Sequence, residues 1–194
     1  MILLATQNAG KIKEIKTLLA SLSFEWISLC DLPNPPRIRE DGKTFEENAV
    51  KKAVRIAKHY GMRALADDSG LEIDALHGAP GVRSARFAGP GGTHQALCQK
   101  VLRLMRKVPE KRRTARFVCV LAFAIPGRKV RTIRGICEGK IAYSFRGTHG
   151  FAYDSIFIPN GFKRTFGELS PRTKNRVSHR FQALKKMKAF LRKI

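Results

Sequence analysis

The sequence predicts an α/β fold with a mixed sheet. Two observations carry this. Short apolar strand candidates alternate with helical patterns through the first half, and strand candidates then follow one another in the second. At 194 residues the chain is the size of one compact domain, or of two small lobes sharing a core.

The elements follow in order. Met1–Ala5 is a short apolar strand that runs into a polar turn, Thr6-Gln7-Asn8-Ala9-Gly10-Lys11. Ile12, Ile15, Leu18 and Leu19 then recur at helical spacing. Asp31 to Asp41 is Pro-rich and irregular. Thr44 and Glu47 match a capping box, Thr44 capping and Glu47 reaching back. Phe45, Ala49, Ala53, Ile56, Ala57 and Tyr60 give that helix its apolar face, and Gly61 is its stop. Ala64–Ala66 reads as a short strand ending in an Asp67-Asp68-Ser69-Gly70 turn, after which Leu71–Leu76 can resume it. His77 to Gly92 is a long Gly-rich loop, and Leu97, Val101, Leu104, Met105 and Val108 mark a third helix. Phe117–Ile125 is a buried strand, Pro126-Gly127 a turn and Val130–Gly135 the return strand. Ile156–Ile158 is a further short strand. Ser170-Pro171 opens the last helix, with Val177, Phe181, Leu184, Met187 and Leu191 as its buried stripe.

Composition excludes several classes. The chain is 43% hydrophobic and 27% charged, which is globular rather than disordered or collagenous. Its longest apolar run, Phe117 to Ile125, is too short to span a bilayer. The N-terminus lacks the pattern of a secretory signal, so a cytoplasmic location is expected. The four cysteines form no C-x-x-C pair and have no His at zinc-finger spacing, as suits a reducing compartment. The net charge is +23, the charge of a surface that attracts polyanions. Its distribution is uneven. Residues 1–98 carry 13 basic and 11 acidic side chains, whereas residues 99–194 carry 25 and 4.

Five constellations could carry chemistry. Thr6 to Lys11 joins strand to helix, where backbone N–H groups and the helix dipole favour an anion; an ordinary capped helix start explains the same residues. Asp67-Asp68 places two carboxylates side by side, an arrangement that a cation would relieve; a solvated turn explains it equally. Glu46 and Glu47 suit a helix N-terminus on dipole grounds alone, while Glu40, in an irregular segment, is freer to hold a metal. Phe151 and Tyr153 on the Gly150–Asp154 loop could stack on a base or simply fill a core. Lys174 to Arg180 opens the last helix with Ser178, His179 and Arg180 in sequence.

Taken in order, these pieces resemble a known family. The matching motifs are T-x-N-x-x-K at Thr6–Lys11, E-D-G-x-T-F-x-E-N-A at Glu40–Ala49, A-D-D-S-G-L at Ala66–Leu71 and G-A-P-G-V-x-S-A-R at Gly78–Arg86. G-F-x-Y-D-x-I-F at Gly150–Phe157, F-x-E-L at Phe166–Leu169 and K-N-R-V-S-H-R at Lys174–Arg180 complete the set. The chain resembles the inosine/xanthosine triphosphate pyrophosphatases over nearly its whole length. The resemblance implies hydrolysis of noncanonical purine nucleoside triphosphates (dITP/ITP, XTP/dXTP) to the monophosphate and pyrophosphate, with Mg²⁺. It implies a homodimer, and a single two-lobed domain around a long central sheet with the active cleft between the lobes. By motif match, Asp68 is the proton acceptor and, with Glu40, a metal ligand. Thr6, Gln7, Asn8, Ala9, Gly10, Lys11 and Lys52 hold the triphosphate. Ser69, Phe151, Ala152, Tyr153, Asp154, Lys174, His179 and Arg180 contact the nucleotide. The chain departs from the pattern at Ala152, where the family has Gly, at Ser155, where it has Pro, and at Gly167, where it has Ala. No membrane partner is expected. The alternative is a basic nucleic-acid-binding protein on the same fold with weak or lost catalysis, its charge concentrated at Lys111-Arg112-Arg113 and Lys185–Lys188.

Overall fold

A computed structural model describes residues 1–193. In chain order the described residues form β1 (Ile2–Leu4), α1 (Ala9–Leu19), β2 (Trp26–Ser28), α2 (Phe45–Tyr60), β3 (Ala64–Ile73), α3 (His94–Leu104), β4 (Thr114–Ala124), β5 (Arg131–Ile141), β6 (Phe157–Pro159), α4 (Pro171–Val177) and α5 (His179–Leu191). The strands form one six-stranded sheet in the order β2-β1-β3-β4-β5-β6. β1 runs parallel to both β2 and β3, and β5 antiparallel to β6, so the sheet is mixed as predicted.

The chain divides into two compact units. The first comprises Met1–Asp68, Cys119–Gly135 and the segment from Arg180 onward. Its core joins Ile2 and Leu4 of β1, Ile15 and Leu19 of α1 and Leu121 and Phe123 of β4 to Leu184, Met187 and Leu191 of α5. The second comprises Ser69–Val118 and Ile136–His179. Its core joins Leu71 and Ile73 of β3, Leu97 and Val101 of α3, Phe117, Ile141, Phe157 and Phe166.

Helix ends follow the sequence closely. Asn8 Oδ1 accepts from the Lys11 N–H at 3.0 Å and caps α1. Thr44 Oγ1 accepts from the Glu47 N–H at 3.1 Å, but Glu47 Oε2 accepts from the Lys43 N–H rather than from Thr44, so only half of the capping box forms. Gly61 ends α2 at φ +65°, the left-handed turn for which glycine is suited.

Three elements differ from the sequence reading. Asp67-Asp68-Ser69-Gly70 is not a turn: β3 continues through it without a break. The turn reading rests on residue types that prefer solvent, and here both aspartates are buried against cations. α3 ends at Leu104, which is 47% exposed rather than part of the core. The last helix is two helices, α4 and α5, parted at Ser178, whose ψ of 157° is extended. Val177 packs on the second core, and Leu184, Met187 and Leu191 lie in the first.

Two buried polar residues order the second unit. Ser84 Oγ donates to the Gly81 carbonyl at 2.6 Å and accepts from the Leu71 N–H at 2.9 Å, and its own carbonyl accepts from Tyr153 Oη at 2.7 Å. This ties the Gly78–Arg86 segment to β3. Arg113 is buried, although the sequence places it in a surface basic cluster. Its guanidinium donates to the carbonyls of Met105, Val108, Ile141 and Ala142 at 2.7–3.2 Å and lies 4.2 Å from the Tyr143 ring centre. A rigid fork of five donors can serve four carbonyls together. Arg113→Ala leaves those carbonyls without their donor and is expected to cost about 3 kcal/mol, a fall of about 10 °C in Tm in a thermal melt. An unchanged melt contradicts this role.

Candidate active site

Consecutive residues of a strand point to opposite faces, so Asp67 and Asp68 meet different surroundings. Asp67 is buried among donors within the first unit. Its Oδ1 lies 2.5 Å from Lys11 Nζ, and its Oδ2 accepts from Arg180 Nε at 2.8 Å and from the Cys119 thiol at 3.2 Å. Arg180 also pairs with Glu14 of α1. Burial opposes the Asp67 charge, but the Arg180 and Lys11 cations outweigh it and hold the carboxyl well below its usual range. Burial, and then the Asp67 charge, push the Cys119 thiol far up, so it stays protonated and can donate.

Asp68 is differently placed. Its Oδ1 accepts from Lys52 Nζ at 3.0 Å, and the same ammonium reaches Glu40 Oε1 at 2.9 Å and the Asp67 carbonyl at 2.8 Å. Its Oδ2 is buried with no hydrogen-bond partner among the described residues. Burial raises the carboxyl above its usual value, Lys52 and Lys11 offset this in part, and the Glu40 charge adds to it. For Lys52 burial works the other way, but Asp68 and Glu40 outweigh it and raise its pKa. The arrangement leaves one buried carboxylate oxygen short of a donor.

That oxygen bears on whether the site can take a metal. Among the described residues no three His, Cys, Asp or Glu side chains gather as a metal cluster. Two carboxylates, Glu40 and Asp68, converge on Lys52. A hard divalent ion that keeps most of its shell for water and phosphate oxygens needs no more than one or two carboxylates from the protein. The donor set fits Mg²⁺, and Asp68 Oδ2 is the atom it would satisfy.

The Thr6–Lys11 segment lies at the start of α1. Gln7, Asn8 and Ala9 are exposed, and Thr6 and Gly10 half-buried. Thr6 Oγ1 accepts from the Asn8 N–H at 3.2 Å, so both Thr6 and Asn8 serve the turn as well as facing solvent. Lys11 joins this segment to β3, because Nζ reaches the Asp67 carboxylate and, at 3.4 Å, its carbonyl.

In the second unit, Asp154 organises the loop that precedes β6. Its Oδ2 accepts from the Phe151 N–H and from Lys174 Nζ, each at 2.7 Å. The Lys174 ammonium also lies 4.7 Å from the Phe151 ring centre. Ala152 takes φ +53°, a left-handed conformation costly to any residue with a Cβ. Its carbonyl accepts from the Cys98 thiol at 3.2 Å, and Cys98 Sγ also meets Ser155 Oγ at 3.6 Å. Of the two loop aromatics, Tyr153 is buried in the core and Phe151 is half-buried. His179 stacks on Phe117 with ring centres 4.7 Å apart and planes 11° from parallel. Ser69 is half-exposed on β3.

The first unit thus gathers Lys11, Glu40, Lys52, Asp68 and Arg180 around β3. The second gathers Phe151, Ala152, Tyr153, Asp154 and Lys174 on one loop and helix, with His179 against Phe117. Sequence reasoning missed Asp67, Glu14 and Cys119 as partners of the charged cluster, and Ser84 as the tie between motifs. Sequence signals existed for Asp67, in its adjacency to Asp68, and for Ser84, inside the Gly78–Arg86 motif. The others depend on residues far apart in the chain.

Known proteins resemble this chain in sequence and in fold. The Ham1 family matches residues 2–190. A dITP/XTP pyrophosphatase of Oceanobacillus iheyensis is 49% identical over 194 residues, covering 100% of this chain and 98% of its own. A dITP/XTP pyrophosphatase of Bacillus subtilis is 46% identical over 189 residues, covering 97% and 96%. A HAM1 protein from Coxiella burnetii, of known structure, superposes with a TM-score of 0.91 at 42% identity, covering 100% of this chain and 98% of that one. A nucleoside-triphosphatase / dITP/XTP pyrophosphatase from Mycobacterium abscessus superposes at 0.79 with 41% identity, covering 96% and 97%. With residues 2–190 matched by the family and the fold shared with a HAM1 protein at a TM-score of 0.91, this chain belongs to the Ham1 family.

Proposed function

We propose that this protein hydrolyses noncanonical purine nucleoside triphosphates, dITP/ITP and XTP/dXTP, to the monophosphate and pyrophosphate, and so clears them from the nucleotide pool. The observation that carries the chemistry is Asp68. It is a buried carboxylate with one oxygen on Lys52 and the other without a donor.

The reaction is attack of water on the α-phosphorus with pyrophosphate leaving. Its barrier is largely charge: an anionic centre is attacked and further negative charge builds on the leaving group. Lys11 and Lys52 bring two ammonium groups to Asp67 within β3, and exposed residues 7–9 lie at the start of α1, where the helix dipole favours an anion. Mg²⁺, held by Glu40 and Asp68, would supply Lewis-acid stabilisation of the phosphate oxygens. Asp68 would accept the proton of the attacking water, and its raised pKa makes it a better base than an exposed aspartate.

Base recognition falls to Phe151, Ala152, Tyr153, Asp154, Lys174, His179 and Arg180, and to Ser69, next to Asp68 in sequence. Phe151 offers a ring face, and Lys174 offers an ammonium already oriented by Asp154. Donors presented to a 6-oxo group would be left unpaired against the 6-amino group of adenine, which excludes ATP. Arg180 contributes through Asp67 and Glu14, with which its guanidinium is paired.

A homodimer forms part of this reading. Leu104, Ile136, Tyr143 and Phe145 of the second unit are 39–63% exposed and available for contact with a second copy. A cytoplasmic setting fits too. All four cysteines are free thiols, and no helix of the described residues is long and apolar enough to cross a membrane.

The direct experiment is pyrophosphate release from ITP, dITP, XTP, ATP, GTP and CTP, with Mg²⁺ and with EDTA. Release confined to the first three and abolished by EDTA is expected; equal rates on ATP or GTP, or release in EDTA, contradict the proposal. A second prediction concerns Ala152. Its left-handed φ costs about 1 kcal/mol, which Ala152→Gly relieves and Ala152→Val aggravates. The Gly variant should hold or raise Tm and lower KM, and the Val variant should lower Tm by several degrees. Indistinguishable melts and KM values across the three proteins would show that the loop carries no such strain.

A further inference from the structure

The net charge of +23 exceeds what a nucleotide site uses. Burial accounts for part of it. Lys52, Lys174 and Arg180 are buried in ion pairs and Arg113 among carbonyls, so none of these can meet a macromolecular polyanion. The rest is not spread evenly. Residues 119–135 and 180–193, all of the first unit, hold ten basic side chains and no acidic one.

These two segments lie against each other. Lys186 Nζ reaches the Arg134 carbonyl at 3.4 Å, and the Arg131 guanidinium lies 5.8 Å from the Phe190 ring centre. α5 therefore runs beside the start of β5. Lys185, Lys186, Arg192 and Lys193 are exposed, and Arg128, Lys129, Arg131 and Arg134 are exposed on the adjoining turn and strand. Glu46 meets the segment at Thr132, accepting its hydroxyl at 2.7 Å, and offsets one charge of the eight.

We propose that this face, α5 with the turn before β5 and the strand's first residues, binds the phosphodiester backbone of nucleic acid. The charge suits it: the exposed basic positions on α5 and just past its end, Lys185 to Lys193, span nine residues, about 12 Å at the helical rise, the length of about three to four phosphates on one strand of a duplex. An anionic membrane is the poorer fit. A helix lying on a bilayer inserts an apolar face, and the apolar face of α5 (Leu184, Met187 and Leu191) is already buried in the core. The contact is electrostatic and independent of base sequence, and it uses none of the residues assigned to hydrolysis except through their shared fold.

The test is fluorescence anisotropy of a labelled 20-nucleotide oligo(dT) and of a 20-base-pair duplex, from 50 to 300 mM salt. The whole protein is compared with an Arg134→Glu/Lys186→Glu/Arg192→Glu variant, and pyrophosphate release from dITP serves as the folding control. Wild-type protein should bind, with log K falling linearly in log salt. The variant should bind at least tenfold more weakly at 50 mM salt. Its slope on oligo(dT) should be smaller by about 2, at about 0.7 per phosphate lost, with hydrolysis of dITP unchanged. No binding at 50 mM salt, or equal binding by the variant, overturns the proposal. Displacement of the oligonucleotide by inorganic triphosphate would place it in the nucleotide site and overturn it as well. So would tighter binding to phosphatidylserine vesicles with the same dependence on the three charges, which would make the face a membrane surface. Inactivity of the wild-type protein on dITP would sink the enzyme reading alone, and equal thermal melts of wild type and variant would then serve as the folding control.

Discussion

A carboxylate at the centre of a sheet has to be neutralised, and much of the first unit is arranged around doing so for Asp67. Lys11 comes from α1, Arg180 from the first turn of α5 and the Cys119 thiol from β4. Arg180 is itself matched by Glu14, so the cluster alternates in sign. Removing one member of such a cluster costs far more than its exposed counterpart would, because it leaves an uncompensated charge in the interior. The cluster fixes α1, β3, β4 and α5 to one another at a single point. It thereby sets where Lys11 and the turn before it stand relative to β3.

With Asp67 saturated, Asp68 is the member of the pair that keeps an oxygen without a donor among the described residues. Two adjacent carboxylates in the same medium would compete for the same cations. The alternation of the strand removes that competition by giving Asp67 its own donors and leaving Asp68 with Lys52 alone on one oxygen. The second unit follows a similar logic at lower charge. Asp154 fastens the Phe151 backbone and the Lys174 ammonium, and Ser84 fastens β3 and Tyr153, so the loop is held by groups that do not themselves contact solvent freely. A left-handed Ala152 persists in that frame.

Much of this was legible in the sequence. The mixed α/β sheet, the Asn8 and Thr44 caps and the left-handed Gly61 follow from local chemistry, which needs no partner from elsewhere in the chain. Motif order identified the family where no single motif could. The failures share a cause. Asp67–Gly70 read as a turn because aspartate, serine and glycine prefer one, and only Lys11 and Arg180, 56 and 113 residues away, make a strand tolerable there. Arg113 read as surface charge because its partners are backbone carbonyls, which leave no trace in residue types. The break at Ser178 was hidden because one apolar periodicity runs through both helices, while the two halves serve different cores.

If Asp67 holds the fold and Asp68 does the chemistry, paired kinetics and melts of Asp67→Asn and Asp68→Asn separate the two roles. Asp68→Asn should fold with a Tm near that of the parent and lose at least about 100-fold in kcat, as a lost base and metal ligand would. Asp67→Asn should lose about 3 kcal/mol of stability through Arg180 and Lys11 left without their counter-charge. The opposite pattern, a stable and inactive Asp67→Asn beside a destabilised but active Asp68→Asn, would contradict the account.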